Sequence, residues 1–391
     1  MAISPTLPVY ASINISFSHG QGIYLYDTSG KRYIDFHSGI GVNSFGHANT
    51  HLINTLKQQN EKLWHISNAY AIPSADFFAK KLIDNSFADT VFFANSGSEA
   101  VECGLKIART YQNGKGKKNH YRTLTFYGAF HGRTFMTSAA NDKRKFSELL
   151  NPYIDWFDNV DLNIESVKKA ILNNNIGVVL IEPIQGQGGI KVIDGKFLKD
   201  LRQLCYAHDI LLFFDCVQCG AGRTGKLFAY ENIGIEPDIC ALAKGIGGGF
   251  PLGVCLATEK AAQYISLGMH GSTFGGNPLA TSIGNCVLDL LLAEGFLKRV
   301  QVRGQYLKQK LQMLASEFSE IEEVRGEGLM LGIKVKMDNQ IFAQELSSRG
   351  LLTMGTTSDQ VVRILPPLII TEKEINEGID ILYKYLSENM C

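Results

Sequence analysis

From about residue 90 the chain repeats one alternation: a short run of consecutive apolar residues, then a longer stretch whose apolar positions fall three or four apart. The runs are VFFAN (91–95), TLTFYG (123–128), GVVLIEP (177–183), ILLFFD (210–215), DICALAK (238–244) and GVCLAT (253–258). A strand apolar on both faces must be covered on both faces. Such runs, separated by helical stretches such as SGSEAVECGLKIARTY (96–111) and 196–208, therefore predict a mostly parallel α/β sheet between helices. Upstream, GIYLYDTSGKRYIDF (22–36) alternates polar and apolar residues on both sides of Thr28-Ser29-Gly30, which predicts a hairpin. Beyond about residue 276 the pattern changes to long helices at 278–293 and 296–318. Short strands at LMLGIKV (329–335) and VVRILPP (361–367) follow, then a closing helix at 373–388, so a second, smaller α+β unit is expected. There is no internal repeat or low-complexity tract, and the charge run GKGKKNHYR (114–122) reads as a solvated loop.

The length of 391 residues allows two domains and a large core that needs no disulfide staples. Lys plus Arg and Asp plus Glu both number 38, which removes the electrostatic footprint of a nucleic-acid or anionic-membrane binder and leaves a small-molecule partner as the expectation. The first residues, MAISPTLPVYASINISFS, lack the basic residue and apolar core of a secretory signal. No later apolar run approaches ~18 residues, so a soluble, cytoplasmic protein without membrane partners is expected. Eight cysteines, several inside apolar runs (Cys205, Cys240, Cys255, Cys286), read as buried thiols of a reducing compartment.

Candidate chemistry concentrates in FFDCVQCGAGRTG (213–225). Cys216 and Cys219 form a C-x-x-C, but no helix start follows them and no second thiol or histidine pair completes a zinc site. GAGRTGK nearly spells a phosphate-binding P-loop, yet Leu227 stands where a Mg²⁺-holding hydroxyl is required. His47 and His51 are spaced i, i+4 without a metalloprotease glutamate, so they read as capping or packing, and no metal is expected. What remains is Asp215, a carboxylate at the carboxyl end of a strand, where open α/β sheets build ligand sites. Lys244 closes another apolar run and precedes GIGGGFPLG. Alone it reads as a solvated lysine. With Asp215 it suggests an imine-forming amine and a carboxylate that pairs with a pyridinium nitrogen, the two protein groups pyridoxal phosphate chemistry requires. Ser96-Gly97-Ser98 opens an amphipathic helix, which is either an ordinary serine cap or a seat for the cofactor's phosphate.

The segments NSGSEA, AFHGRT, IEPIQG, FFDCVQCGAGRTG, ALAKGIGGGFPLG and HGSTFGGNPLA together resemble the class III (ornithine-type) aminotransferases, pyridoxal phosphate enzymes of fold type I. The resemblance runs from YLYDTSGKRYIDF to VVRILPPL. GIGVN (39–43) and FADTVFFANSGSEAVE (87–102) are most similar to its acetylornithine branch. The resemblance implies a mostly parallel seven-stranded sheet domain over 51–275 and a smaller α+β domain formed by both termini, 1–50 and 276–391. It implies that Lys244 forms the imine with pyridoxal 5'-phosphate and shuttles a proton, that Asp215 keeps the ring nitrogen protonated, that Val217 and Phe130 pack on the two ring faces, and that Gln218 lies near the phenolic oxygen. Gly97 and Ser98 match the phosphate cradle. Thr273, with Ser272, matches a loop given to the neighbour's cofactor, which implies a homodimer with shared active sites. Arg133 matches the residue that binds the α-carboxylate of acetylornithine, and Arg363 the one that binds glutamate or 2-oxoglutarate; a planar guanidinium suits bidentate pairing to a carboxylate. Without the family, Arg363 reads equally well as an ion pair at a strand end.

The implied activity moves the δ-amino group of N2-acetyl-L-ornithine to 2-oxoglutarate, giving N-acetylglutamate semialdehyde and glutamate in arginine biosynthesis. Relatives that act on succinyl-diaminopimelate, succinylornithine or 4-aminobutyrate stand beside it, as does a pyridoxal phosphate-binding structural or regulatory protein. Two positions depart from the family pattern. EPIQGQGG carries Gln187 in place of a glutamate able to pair with the glutamate-binding arginine, while Glu182 remains as a substrate-site residue. DCVQ carries Cys216 where DEVQ is usual. Gln187 is expected to leave Arg363 free more often; nothing in the sequence explains Cys216.

Overall fold

The computed structural model describes residues 6–10, 13–145 and 150–388. Its central sheet has seven strands in the order 90–94, 253–257, 239–242, 211–215, 176–181, 122–126, 157–160. Every residue of the strands Ile176–Ile181, Leu211–Asp215, Ile239–Leu242 and Gly253–Ala257 is buried, the burial that unbroken apolar runs demand. Five strands run parallel in adjacent pairs, and Gly253–Ala257 alone is antiparallel to both its neighbours. Its reversal follows from the short glycine-rich connection after Lys244, which returns the chain without a crossover helix. The strand Phe157–Val160 has no apolar run, because FDNV lies at the sheet edge beside Arg122–Phe126 and only Phe157 is buried.

Register brings three strand ends level. Phe214 pairs with Ile181 and Asp215 with Ala241, so Glu182, Asp215 and Lys244 leave adjacent strands at one edge of the sheet. The helix Gly97–Gly114 covers this sheet with Ala100, Val101, Leu105 and Ala108 buried. Gly104 faces the ring of Phe213 so closely that any side chain there would occupy the ring's space.

The remaining strands form two four-stranded sheets and one two-stranded ribbon, Ile184–Gln185 antiparallel to Lys191–Val192. Phe17–Gln21, Tyr24–Asp27 and Arg32–Asp35 form a meander around the expected hairpin, and Leu351–Leu352 from the far end of the chain joins it parallel to Arg32–Asp35. Ile321–Glu327, Met330–Val335, Val361–Ile364 and Met354–Gly355 form the other. The helices Pro278–Leu292, Phe296–Glu317 and Glu372–Glu388 lie within two residues of their expected ends, the first opened by an Asn277 cap and a proline at its first position.

The basic run at 114–122 is more fixed than a solvated loop. Lys115 and Lys117 each lie 2.8 Å from Asp209, and Arg122 lies 2.6 Å from Asp158. Among the described residues every cysteine is a free thiol and all are buried except Cys286, which is partly exposed. No single helix among them is long and apolar enough to cross a membrane.

Candidate active site

The strand ends open into a cavity of about 370 Å³ bordered by Gly97, Ser98, Phe130, Glu182, Gln187, Asp215, Val217, Gln218 and Lys244. Lys244 opens a short 3₁₀ turn with φ of 50°, the left-handed region in which a side chain is strained by roughly 1–3 kcal/mol. Burial, helped by the positive charge of Arg363 and opposed by Asp215 and Glu182, pushes its amine down to about 8. A large fraction of the amine is therefore neutral near pH 8.

Asp215 is 4% exposed and fully engaged on the protein side: Oδ1 accepts the N–H of Val217 at 3.0 Å and Oδ2 lies 2.8 Å from Nδ1 of His131. His131 is the residue that sequence reasoning missed. Its backbone N–H donates to Oδ1 of Asn141 at 2.6 Å, and its Nε2 is buried without a partner among the described residues. The signal lies in AFHGRT, between Phe130 and Arg133, the two residues the sequence reading takes from it.

Glu182 uses both carboxylate oxygens on backbone, accepting the N–H of Phe130 at 2.9 Å and of Gly186 at 3.0 Å. Burial pushes its carboxyl up to about 7. It thus ties the loop that carries Phe130 to the loop that carries Gln187. Oε1 of Gln218 and Oε1 of Gln187 are buried and unpartnered among the described residues. Val217 lies against Gly97: a Cβ at residue 97 would stand 2.8 Å from one Val217 methyl, so glycine is what lets the helix start reach the strand end. The Cys216–Cys219 pair is buried, and the Cys216 thiol together with burial pushes Cys219 well above the usual thiol range. Such thiols are protonated and inert.

Four expected residues lie outside this cavity lining. Arg363 is 1% exposed, donates only through Nη2 to the Gly355 carbonyl at 3.4 Å, and keeps Nε and Nη1 unpartnered among the described residues. Burial pushes it down to about 10. Arg133 is exposed, with its guanidinium 5.5 Å from the Phe130 ring centre. Ser272 accepts from Asn95 Nδ2 at 3.1 Å and from the Gly275 N–H at 3.0 Å, while Thr273 is exposed.

A family model described as Aminotransferase class-III matches residues 8–386. The chain belongs to the class-III aminotransferases. The acetylornithine aminotransferase of Agrobacterium fabrum is 48% identical over 379 residues, covering 97% of this chain and 95% of that protein. That of Aquifex aeolicus is 43% identical over 379 residues, covering 96% and 98%. Among solved structures, N-acetylornithine aminotransferase from Stenotrophomonas maltophilia K279a superposes with a TM-score of 0.85 at 33% identity, covering 97% of both chains. Ornithine aminotransferase from Toxoplasma gondii ME49 gives 0.93 at 28% identity, covering 98% and 93%.

As a class-III aminotransferase the protein is a pyridoxal phosphate enzyme of fold type I that takes a small-molecule amino donor and a keto acid. The residues present fit that cofactor. A lysine amine and a buried carboxylate share one cavity, the first residues of the helix that starts at Gly97 border the same space, and an unpartnered amide oxygen, Gln218 Oε1, borders it.

Proposed function

We propose that this enzyme moves the δ-amino group of N2-acetyl-L-ornithine to 2-oxoglutarate, as a cytoplasmic step of arginine biosynthesis. One observation carries the substrate: relatives at 47–48% identity over nearly the whole chain are named acetylornithine aminotransferase. When bound, pyridoxal phosphate supplies an aldehyde that condenses with amines and a ring that takes up electrons. The protein supplies the rest. Lys244 would hold the cofactor through Nζ and, once freed, Nζ would take the proton from the amino-bearing carbon; a value near 8 leaves part of the amine neutral at working pH and so able to act as a base. Asp215, a buried carboxylate oriented by His131 and the Val217 N–H, would pair with the ring nitrogen. Gly97 and Ser98 present backbone N–H groups to the phosphate. Val217 and Phe130, which border the cavity, would flank the ring, and Gln218 would face its phenolic oxygen.

Arg363 seats the carboxylate of 2-oxoglutarate. Its two unpartnered nitrogens, Nε and Nη1, support this role, because buried N–H groups without acceptors cost free energy that a bound carboxylate would recover. Arg133, exposed beside Phe130, takes the α-carboxylate of acetylornithine. The working form is a homodimer. Leu63, Trp64, Tyr70, Leu267, Met269 and Phe274 are exposed, and Asn68 Nδ2 donates to the Ser272 carbonyl at 2.9 Å, so the apolar side chains belong to two segments held together around Thr273. Sedimentation of the holoenzyme tests this: a monomer at micromolar concentration with full activity would rule out shared sites.

A further inference from the structure

At the carboxylate end of the site one buried polar group has no role in the chemistry above. Nε2 of His37 is buried without a partner among the described residues, as are Nε and Nη1 of Arg363. Hydrogen bonds tie the two segments together, the Leu365 N–H donating to the Phe36 carbonyl at 2.7 Å and the Ser38 hydroxyl to the Leu365 carbonyl at 2.7 Å, and the charge of Arg363 reaches the His37 imidazole. The same N-terminal segment reaches the Lys244 cavity through Val42. Burial, with Arg363 and Lys244 acting against Asp35, pushes the His37 imidazole down to about 4, so it is neutral at working pH. Asp35 is occupied elsewhere, by Nε2 of His47 at 2.8 Å and by the backbone N–H groups of His37 and Ser38 at 2.9 and 2.7 Å. A buried imidazole nitrogen on a half-buried histidine and a buried guanidinium with unmade hydrogen bonds mark a place where an acceptor is due. A carboxylate, with two oxygens and several lone pairs, can accept from both.

We propose that His37 is a specificity-determining residue whose Nε2–H, together with the Arg363 guanidinium, seats one carboxylate of the keto-acid substrate. This rests on the reading of Arg363 given above. A neutral donor adds a hydrogen bond without adding a second cation beside Lys244.

The test is calorimetric titration of glutarate, a five-carbon dicarboxylate, into cofactor-loaded wild type, His37→Leu and His37→Gln, alongside the KM values for 2-oxoglutarate and N-acetylornithine. His37→Leu should weaken glutarate about tenfold, the effect of losing one hydrogen bond to a charged group, and raise the KM for 2-oxoglutarate similarly. The KM for N-acetylornithine and kcat should stay within about twofold, and His37→Gln, which keeps an N–H, should recover most of the loss. If His37→Leu does not fold, His37→Met against His37→Gln carries the same comparison. Glutarate binding unchanged in the apolar variant, an equal loss for both substrates, or no recovery with glutamine would overturn the proposal for His37 alone. A wild type that neither binds glutarate nor uses 2-oxoglutarate would overturn the acceptor assignment together with it.

Discussion

Changing Gln187 to glutamate would put a carboxylate on the cavity wall, in a segment that Ser358 ties to the loop leading to Arg363. Arg363 is 1% exposed, and two of its nitrogens lack partners among the described residues. Burial pushes it down to about 10 from the usual guanidinium range, a gap on the order of 3 kcal/mol of uncompensated charge. Gln187 borders the cavity, and its carbonyl accepts the Ser358 hydroxyl at 3.1 Å, within the loop between Met354–Gly355 and Val361–Ile364 that leads to Arg363. A hydrogen bond between charged groups in such a setting is worth about 1.5–3 kcal/mol. An incoming substrate carboxylate must displace the introduced one, so the KM for 2-oxoglutarate should rise roughly 10- to 100-fold. Steady-state kinetics with both substrates varied reads this directly, together with the ratio of glutamate to N-acetylornithine as amino donor. The ratio should fall in Gln187→Glu. An unchanged ratio would refute the claim that the missing charge at 187 leaves Arg363 open.

Three further outcomes follow from the same geometry. With the Lys244 amine near 8, pyridoxal phosphate capture by cofactor-free enzyme should accelerate with pH and level off above about 8; Asp215→Asn should move the midpoint lower, and a rise continuing toward 10.5 would contradict the cause given. Glu182, held up to about 7 by burial, binds a proton more tightly folded than unfolded. Its contribution therefore weakens the fold as pH rises from about 4.5 to 7, and Glu182→Gln should gain on wild type across that window, by up to roughly 3 kcal/mol before the lost acceptor is counted, in urea unfolding. Gly97→Ala would bring a Cβ within 2.8 and 2.9 Å of the Val217 methyls, so a loss of about 1–3 kcal/mol in thermal melts and weaker cofactor retention after dialysis are expected.

Much of the site was legible because its residues stand at punctuation marks in a regular pattern. Asp215 and Lys244 end apolar strands, and Gly97 opens an amphipathic helix, so period alone placed them at one edge of the sheet. The near-motifs failed for physical reasons the structure makes plain. Cys216 and Cys219 are buried beneath Asp215 rather than exposed at a helix start, and His47 is committed to Asp35 while His51 is exposed. What stayed hidden depends on contacts distant in sequence. His131 orients Asp215 across 84 positions, and the segment that carries His37 is tied to the strand that carries Arg363 through the Leu365 N–H on the Phe36 carbonyl. The edge strand Phe157–Val160 was also missed, since one buried residue gives no apolar run.

The central claim is an acetylornithine-specific half-reaction run by Lys244. Its most direct test is the visible absorption of holoenzyme after separate addition of N-acetylornithine, ornithine, 4-aminobutyrate and succinyl-diaminopimelate, with Lys244→Ala as control. The account predicts that N-acetylornithine discharges the cofactor's absorption band fastest, and that the lysine variant is slower by at least about 100-fold. A faster change with another amine would contradict the substrate, and an equally fast change in Lys244→Ala would contradict the assignment of the base.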